Sequence, residues 1–320
     1  MEAVEKVYDF APGEEGFLEA VLSGLSQPQK ELPCKFLYDE KGSQLFDQIC
    51  QLDEYYPTRT ELALLSTTCD EIAGRIGDQA VLIEFGCGSL QKVRLLLDAM
   101  QDPAGFIPID ISKEHLLASA ESLARDYPGL RVLPVCADYT QAIELPDIDG
   151  GGKKRVGFFP GSTIGNFGRQ EAEQFLRTIA EILGPGGELL IGVDLKKDEA
   201  ILNAAYDDAK GVTAAFNLNI LERINRELGG DFDLKGFEHC AYYRDDLGRV
   251  EMHLKSLREQ DVEIAGRHFH FEQGETIHTE NSHKYSLKDF SDLAIRSGFS
   301  PVESWTDPDD LFSIHYLRVT

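Results

Sequence analysis

Apolar positions between residues 81 and 194 alternate between short continuous runs and helical stripes. Val81-Leu82-Ile83 is a run bounded by turn residues, the mark of a strand covered on both faces. It passes at once into Glu84-Phe85-Gly86-Cys87-Gly88, and residues 91–100 then carry Val93, Leu95, Leu96 and Leu97 at helical spacing. The same succession follows in strands at 105–110, 130–136, 155–159 and 188–194, with helices from 112 or 113 through 123 and over 169–183. Strands alternating with helices predict βαβ units and a parallel sheet.

Outside that stretch the pattern changes. Residues 14–25 read as an amphipathic helix, and Ser43 is placed to cap a short helix carrying Leu45, Phe46 and Ile49. Tyr55 and Tyr56 stand before Pro57 and read as packing residues at a bend, after which a helix over 61–76 leads into the first strand of the alternation. Helices over 198–210 and 212–228 precede period-two segments at 237–244, 250–258 and 262–271, which predict an antiparallel sheet. A helix over 287–297 and a hairpin of 299–305 with 312–319, turning across Asp307 and Pro308, complete the chain.

Chemistry enters at the glycine turn. Gly86 and Gly88 remove two side chains where the chain must turn and let a ligand approach the backbone. A dinucleotide fingerprint needs a third glycine where Gln91 stands. A cofactor without a pyrophosphate suits the turn better, because a strand-end Glu84 repels phosphate and tolerates a sulfonium. This points to S-adenosylmethionine (SAM); a glycine turn with no ligand is the plain alternative. Asp110, about twenty residues further on, is placed to hold both ribose hydroxyls of a nucleoside, or else to cap a helix. Asp138 followed by Tyr139 offers an acid for the adenine amino group and an aromatic face for its ring. Ligands of parallel α/β sheets sit beyond the carboxyl ends of the strands, so the loop 160–167, with Gly161 and Ser162, lies by the same cofactor.

Alternating units, then an insertion, then helix and hairpin predict an α/β fold of the class I SAM-methyltransferase type. Its Rossmann-like sheet has seven strands, the last pair antiparallel. Residues 61–197 and 285–320 are assigned to that domain. Residues 1–60 and 198–284 are assigned to a second, α+β, substrate-binding domain over the cofactor mouth.

The formal net charge of −25 argues against nucleic acid or an anionic membrane as partner. No apolar run approaches the length of a membrane span, and residues 1–6 lack the basic and apolar regions of a signal peptide. The six cysteines contain no Cys-x-x-Cys pair and read as reduced thiols, so the expected location is cytoplasmic. His268 and His270 flank Phe269 in a strand-like alternation and read as surface residues. With neither a His-x-x-x-His nor a His-Glu-x-x-His present, no metal is expected.

Along almost its whole length the chain resembles the histidine-specific N-methyltransferases of ergothioneine biosynthesis. The resemblance is carried by Phe36-Leu37-Tyr38-Asp39, Gly42-Ser43-Gln44-Leu45-Phe46, Glu54-Tyr55-Tyr56-Pro57-Thr58-Arg59 and Gly161-Ser162-Thr163-Ile164-Gly165-Asn166. Further stretches are Ala205-Tyr206-Asp207-Asp208, Phe216-Asn217-Leu218-Asn219, Ile224-Asn225-Arg226-Glu227-Leu228, Glu251-Met252 and Thr279-Glu280-Asn281-Ser282. Phe85, Cys87 and Asn281 depart from the family pattern without removing an implied contact.

The resemblance implies trimethylation of the α-amino group of L-histidine to hercynine with SAM, and no obligate protein partner. It implies that Tyr55, Asn166 and Tyr206 hold the amino-acid carboxylate and amine, with Tyr38 as the catalytic residue close to the amine. Glu280 and Ser282 match residues that grip the imidazole, Met252 one that lines its pocket, and Phe46 offers an aromatic face. On the cofactor side Gly86, Lys92, Asp110, Asp138 and Tyr139 match. The same chemistry on another aromatic amino acid or amine, and a SAM-binding protein without turnover, are the competing expectations.

Overall fold

The computed structural model describes residues 7–10, 14–88, 90–141, 143–148 and 153–320. The chain divides into two compact units, one of Met1–Ala11, Pro57–Lys196 and Lys284–Thr320, the other of Pro12–Tyr56 and Lys197–His283.

Among the described residues of the first unit, eight strands form one sheet. Their order is Tyr8–Phe10, Val135–Ala137, Gly105–Asp110, Val81–Phe85, Arg155–Phe159, Glu188–Asp194, Phe312–Val319 and Phe299–Thr306. Pairings are parallel as far as Glu188–Asp194, and the last two strands each pair antiparallel. Strand order reverses between Val81–Phe85 and Arg155–Phe159, which makes their carboxyl ends the point where ligands of open α/β sheets bind. Leu82, Phe106, Val156 and Leu190 feed one core layer with the helices Tyr56–Ile76, Gln91–Ala99 and Lys113–Asp126. Val81, Ile83, Ile107 and Ile191 feed the other, with Arg169–Leu183 and Leu287–Arg296.

Three expectations are corrected here. The sheet has an eighth strand because Tyr8–Phe10 pairs parallel with Val135–Ala137. The strand expected at 130–136 shortens to Val135–Ala137, preceded by a single bridge from Val132 to Phe106. Pro134 lies between them and has no N–H to give a ladder. The helix expected over 61–76 begins at Tyr56, with Pro57 in its first turn, where a missing N–H removes no helical bond.

The second unit holds a sheet ordered Lys30–Glu31, Thr276–His283, Arg249–Ser256 and Phe237–Arg244, and a hairpin of Gln260–Ile264 with Arg267–Phe271. Residues 262–271 are thus two strands, because Ala265 and Gly266 turn the chain at φ of 49° and 77°. Thr276–His283, unforeseen as a strand, pairs antiparallel with Arg249–Ser256 and shifts register between His278 and Glu280. The helices Glu14–Leu25, Glu40–Ile49, Glu199–Tyr206 and Val212–Leu228 complete this unit. Among the described residues no helix is long and apolar enough to cross a membrane.

Candidate active site

At the end of Val81–Phe85 the chain enters the left-handed region twice, at Gly86 (φ 74°) and Gly88 (φ 46°). A Cβ on Gly86 would come within 3.3 Å of the Tyr139 hydroxyl, whereas one on Gly88 would meet nothing within 4 Å. Side chains are therefore excluded on one side of the turn while its backbone stays approachable on the other. The Asp110 carboxylate accepts from the Ser112 N–H at 2.9 Å and from the Gly88 N–H at 3.4 Å, so it braces the turn and does not cap the helix that begins at Lys113. Burial pushes the Asp110 carboxyl above its usual range, and those two N–H groups oppose the shift.

Asp138 accepts from the Thr140 N–H at 3.1 Å and hydroxyl at 2.6 Å. The Tyr139 ring is held edge-on against Phe85, Phe159 and Phe175, with centroids 6.4, 5.9 and 5.9 Å away. Glu84 is buried with no hydrogen-bond partner for Oε2 among the described residues. Its burial pushes the carboxyl well above the carboxylate range, while Lys92 pulls it back. Glu84 is therefore not the free strand-end anion that the sequence suggests.

After Arg155–Phe159, Gly161 and Ser162 take φ of 80° and 56° and lead into the 3₁₀ turn Thr163–Asn166. The Ser162 hydroxyl accepts from the Asp194 N–H at 2.9 Å. The Gly161 N–H donates to Glu61 Oε2 at 2.8 Å, and Lys92 Nζ lies 2.6 Å from the same oxygen. Glu61 was not foreseen, because a glutamate early in an amphipathic helix has the look of a solvated residue. The glycine turn, the Asp110 and Asp138 carboxylates at strand ends, the Tyr139 ring and the Lys92 ammonium fit a sulfonium nucleoside with an amino-acid tail.

In the second unit, Tyr38 follows the 3₁₀ turn Cys34–Leu37 and precedes Asp39, which caps Glu40–Ile49 by accepting from the Gly42 N–H at 2.7 Å. Ser43, expected as the cap, lies buried inside that helix. Asp39 also accepts from Asn219 Nδ2 at 2.7 Å and Arg226 Nη2 at 2.6 Å. Burial works against this anion, yet the Gly42 N–H, Arg226 and Asn219 outweigh it and hold its carboxyl below the usual range. A Cβ on Gly42 would fall 1.7 Å from the Leu37 carbonyl oxygen, so the tight entry beside Tyr38 requires glycine.

Aromatic rings then run in sequence through the unit. Tyr38 meets Phe46 and Phe216 edge-on at 5.5 and 5.3 Å, Phe46 meets Tyr55 at 6.2 Å, and Tyr55 meets Tyr206 at 6.1 Å. The Tyr206 hydroxyl donates to Ser282 Oγ at 2.6 Å. Glu280 stands opposite Met252, and Ser282 opposite Val250, in the Arg249–Ser256/Thr276–His283 pair. Directly opposed residues share a face, so Met252, Glu280 and Ser282 line one side of the sheet, all buried.

Tyr55 and Tyr206 are 7% exposed, so packing and display coincide at these positions. His239 accepts at Nδ1 from Asn217 Nδ2 (2.9 Å) and therefore donates from Nε2 to the Tyr206 carbonyl (2.9 Å), which fixes a neutral tautomer; burial also lowers its pKa. Phe216, Asn217 and Asn219, for which the sequence offered no role, support these rings and caps. Asn166, predicted with the same group, stands at the end of its 3₁₀ turn in the first unit. His268 and His270 lie exposed on the hairpin, His270 bonded to Asp261.

The profile of a family described as histidine-specific methyltransferase, SAM-dependent, matches residues 17–319. The chain is 41% identical over 300 residues to a histidine N-alpha-methyltransferase of Mycolicibacterium smegmatis, covering 92% of each protein. It is 32% identical over 316 residues to ergothioneine biosynthesis protein 1 of Neurospora crassa, covering 94% of this chain and 35% of that one. Among solved structures, a SAM-dependent methyltransferase from Clostridium acetobutylicum superposes with a TM-score of 0.50 at 12% identity, over 87% of this chain and 98% of that one. At that identity the likeness is one of fold alone.

Proposed function

The chain belongs to the histidine-specific, SAM-dependent methyltransferases, and from that premise we propose that it methylates the α-amino nitrogen of L-histidine three times, giving hercynine for ergothioneine biosynthesis. The observation that carries this reading is the run Tyr38–Phe46–Tyr55–Tyr206–Ser282 beside Glu280, half-buried at Tyr38 and Phe46 and buried beyond them, a cluster of hydroxyls, aromatic faces and one carboxylate.

SAM, when bound, supplies a methyl on a sulfonium that only a neutral amine can take. Gly86, Lys92, Asp110, Asp138, Tyr139, Gly161 and Ser162 are assigned to hold it. Tyr55, Asn166 and Tyr206 are assigned to the amino-acid carboxylate and amine. Tyr38 orients the amine through a neutral hydroxyl, which avoids a salt bridge that would fix it as an ammonium. Positioning of this kind supplies roughly 7–11 kcal/mol of a displacement barrier. As methyl groups replace N–H donors, the Tyr38 and Phe46 rings suit the quaternary ammonium that results. Glu280 accepts an imidazole N–H, Ser282 adds a second polar contact, and Met252 packs against the ring.

On this reading the second unit is the substrate-binding domain. The protein is cytoplasmic and works without nucleic acid, membrane or an obligate protein partner. The test is to incubate the purified protein with SAM and each of the common amino acids and to follow products by mass spectrometry. Histidine should gain one, two and then three methyl groups. A trimethylated product from another amino acid, with histidine unchanged, overturns the assignment.

A further inference from the structure

Glu61 is wholly buried, yet it is charged and lies near the start of a helix whose other inward residues are apolar. Its Oε2 collects two donors, the Lys92 ammonium at 2.6 Å and the Gly161 N–H at 2.8 Å. Its Oε1 has no hydrogen-bond partner among the described residues and sits where a Cβ on Gly192 would be 2.0 Å away. The sheet thus gives up a side chain at Gly192 to make room for this carboxylate. An ion pair in such a place is weak evidence for stability, because well-packed apolar residues serve as well or better. Its two partners are both residues assigned to the cofactor, and Lys92 Nζ lies 3.5 Å from where a Cβ on Gly161 would be.

Resting on the SAM-dependent reading, we propose that Glu61 is a positioning residue for the amino-acid tail of the cofactor. It holds the Lys92 ammonium and the Gly161 backbone in the places from which they meet that tail. A lysine on its flexible stem loses much rotamer freedom when it binds a carboxylate. Anchored by Glu61, with its side chain 16% exposed, Lys92 has lost that freedom already. An ammonium carries three donors, so one spent on Glu61 leaves two for a ligand carboxylate. Pairing also offsets a charge that would otherwise repel a sulfonium. Glu61 touches no reacting atom, and its effect passes through Lys92 and Gly161.

The test compares two ligands by calorimetry on the full chain. S-adenosylhomocysteine carries the tail, whereas 5′-methylthioadenosine carries the nucleoside and thioether without carboxylate or amine. Glu61→Gln should weaken S-adenosylhomocysteine by about tenfold or more, the scale of a lost contact to a charged group, and leave methylthioadenosine unchanged. In a Lys92→Met background the same change should add little. Glu61→Asp, which keeps the charge but shortens its reach, should show a smaller loss of the same selectivity, and it carries the test should the Gln variant not fold. Unchanged S-adenosylhomocysteine affinity, or equal losses for both ligands, overturns the proposal. Failure of wild-type protein to bind either ligand would instead overturn the cofactor reading beneath it. Neither ligand probes the methyl acceptor, so the result stands apart from the question of histidine.

Discussion

Replacing Asp110 separates two jobs of one carboxylate, the bracing of the turn seen in the structure and the hold on the ribose proposed above. Its oxygens accept from Ser112 N–H at 2.9 Å and, more weakly, from Gly88 N–H at 3.4 Å, and Ser112 is 6% exposed. Asp110→Ala leaves the Ser112 donor without its acceptor, at a cost of about 1–3 kcal/mol in stability. It also removes the acceptor assigned to the ribose hydroxyls, worth roughly 1.5–3 kcal/mol of SAM affinity per bond, or about 10- to 150-fold. Asp110→Asn keeps one oxygen for Ser112 and should hold the fold, while the loss of charge still weakens the nucleoside. Thermal unfolding and calorimetric titration with S-adenosylhomocysteine, run on both variants, read the two effects separately. Ala should lower both melting temperature and affinity, Asn affinity alone. Wild-type affinity in the Asn variant together with a normal melting temperature in the Ala variant would remove Asp110 from both roles.

Glu280→Ala should cost histidine roughly 2–4 kcal/mol in kcat/KM, about 30- to 1,000-fold, because the imidazole N–H loses its acceptor. Tryptophan should be unaffected or improve, and equal losses for both amino acids would show that Glu280 does not select the imidazole. Gly42→Ala, which inside a helix normally stabilises by about 1 kcal/mol, should instead destabilise by about 1–3 kcal/mol or more, because its Cβ would fall 1.7 Å from the Leu37 carbonyl oxygen. A melting temperature at or above wild type would contradict that geometry. Burial pushes the His315 pKa down from 6.5 to about 4. The unfolded chain therefore takes up this proton first as pH falls. Stability is complete above pH 6.5 and declines by at most about 1.4 kcal/mol per unit down to pH 4. His315→Gln should flatten that decline in melting temperature between neutral and mildly acid pH; an unchanged slope would assign the acid sensitivity to other groups.

The parallel sheet was legible because its strands are buried on both faces, so that Val81-Leu82-Ile83 and Leu189-Leu190-Ile191 stand out as unbroken apolar runs. Tyr8–Phe10 was not, since three residues with one polar member carry no period. The hairpin at Ala265-Gly266 did leave a trace, the inward positions passing from Val262 and Ile264 to Phe269 and Phe271 across an odd interval beside a glycine. Thr276–His283 is polar at most of its buried positions, among them Glu280 and Ser282, so hydrophobic alternation misses the very strand that bears the imidazole assignment. Glu61 and Asp39 escaped for a related reason: each has a partner far along the chain, Gly161 for Glu61 and Asn219 for Asp39, 100 and 180 residues away, and only tertiary structure brings these together.

The register shift in Thr276–His283 has a bearing on how selectivity could change over time. His278 faces His253, and Glu280 faces Met252, so Thr279 is an extra residue whose hydroxyl is tied to the Met252 carbonyl at 3.0 Å. If Thr279 instead took the place opposite Met252 in a regular ladder, Glu280 would stand opposite Glu251, on the other side of the sheet and beside a like charge. The alternation beyond His278 behaves like a reading frame. Removing Thr279 itself would leave Glu280 opposite Met252, whereas gain or loss of one residue within the paired stretch beyond it, with no compensating bulge, would exchange the faces of every side chain that follows. Recognition written on such a strand changes in jumps, through insertion or loss of one residue, where substitution alone could alter it only one side chain at a time.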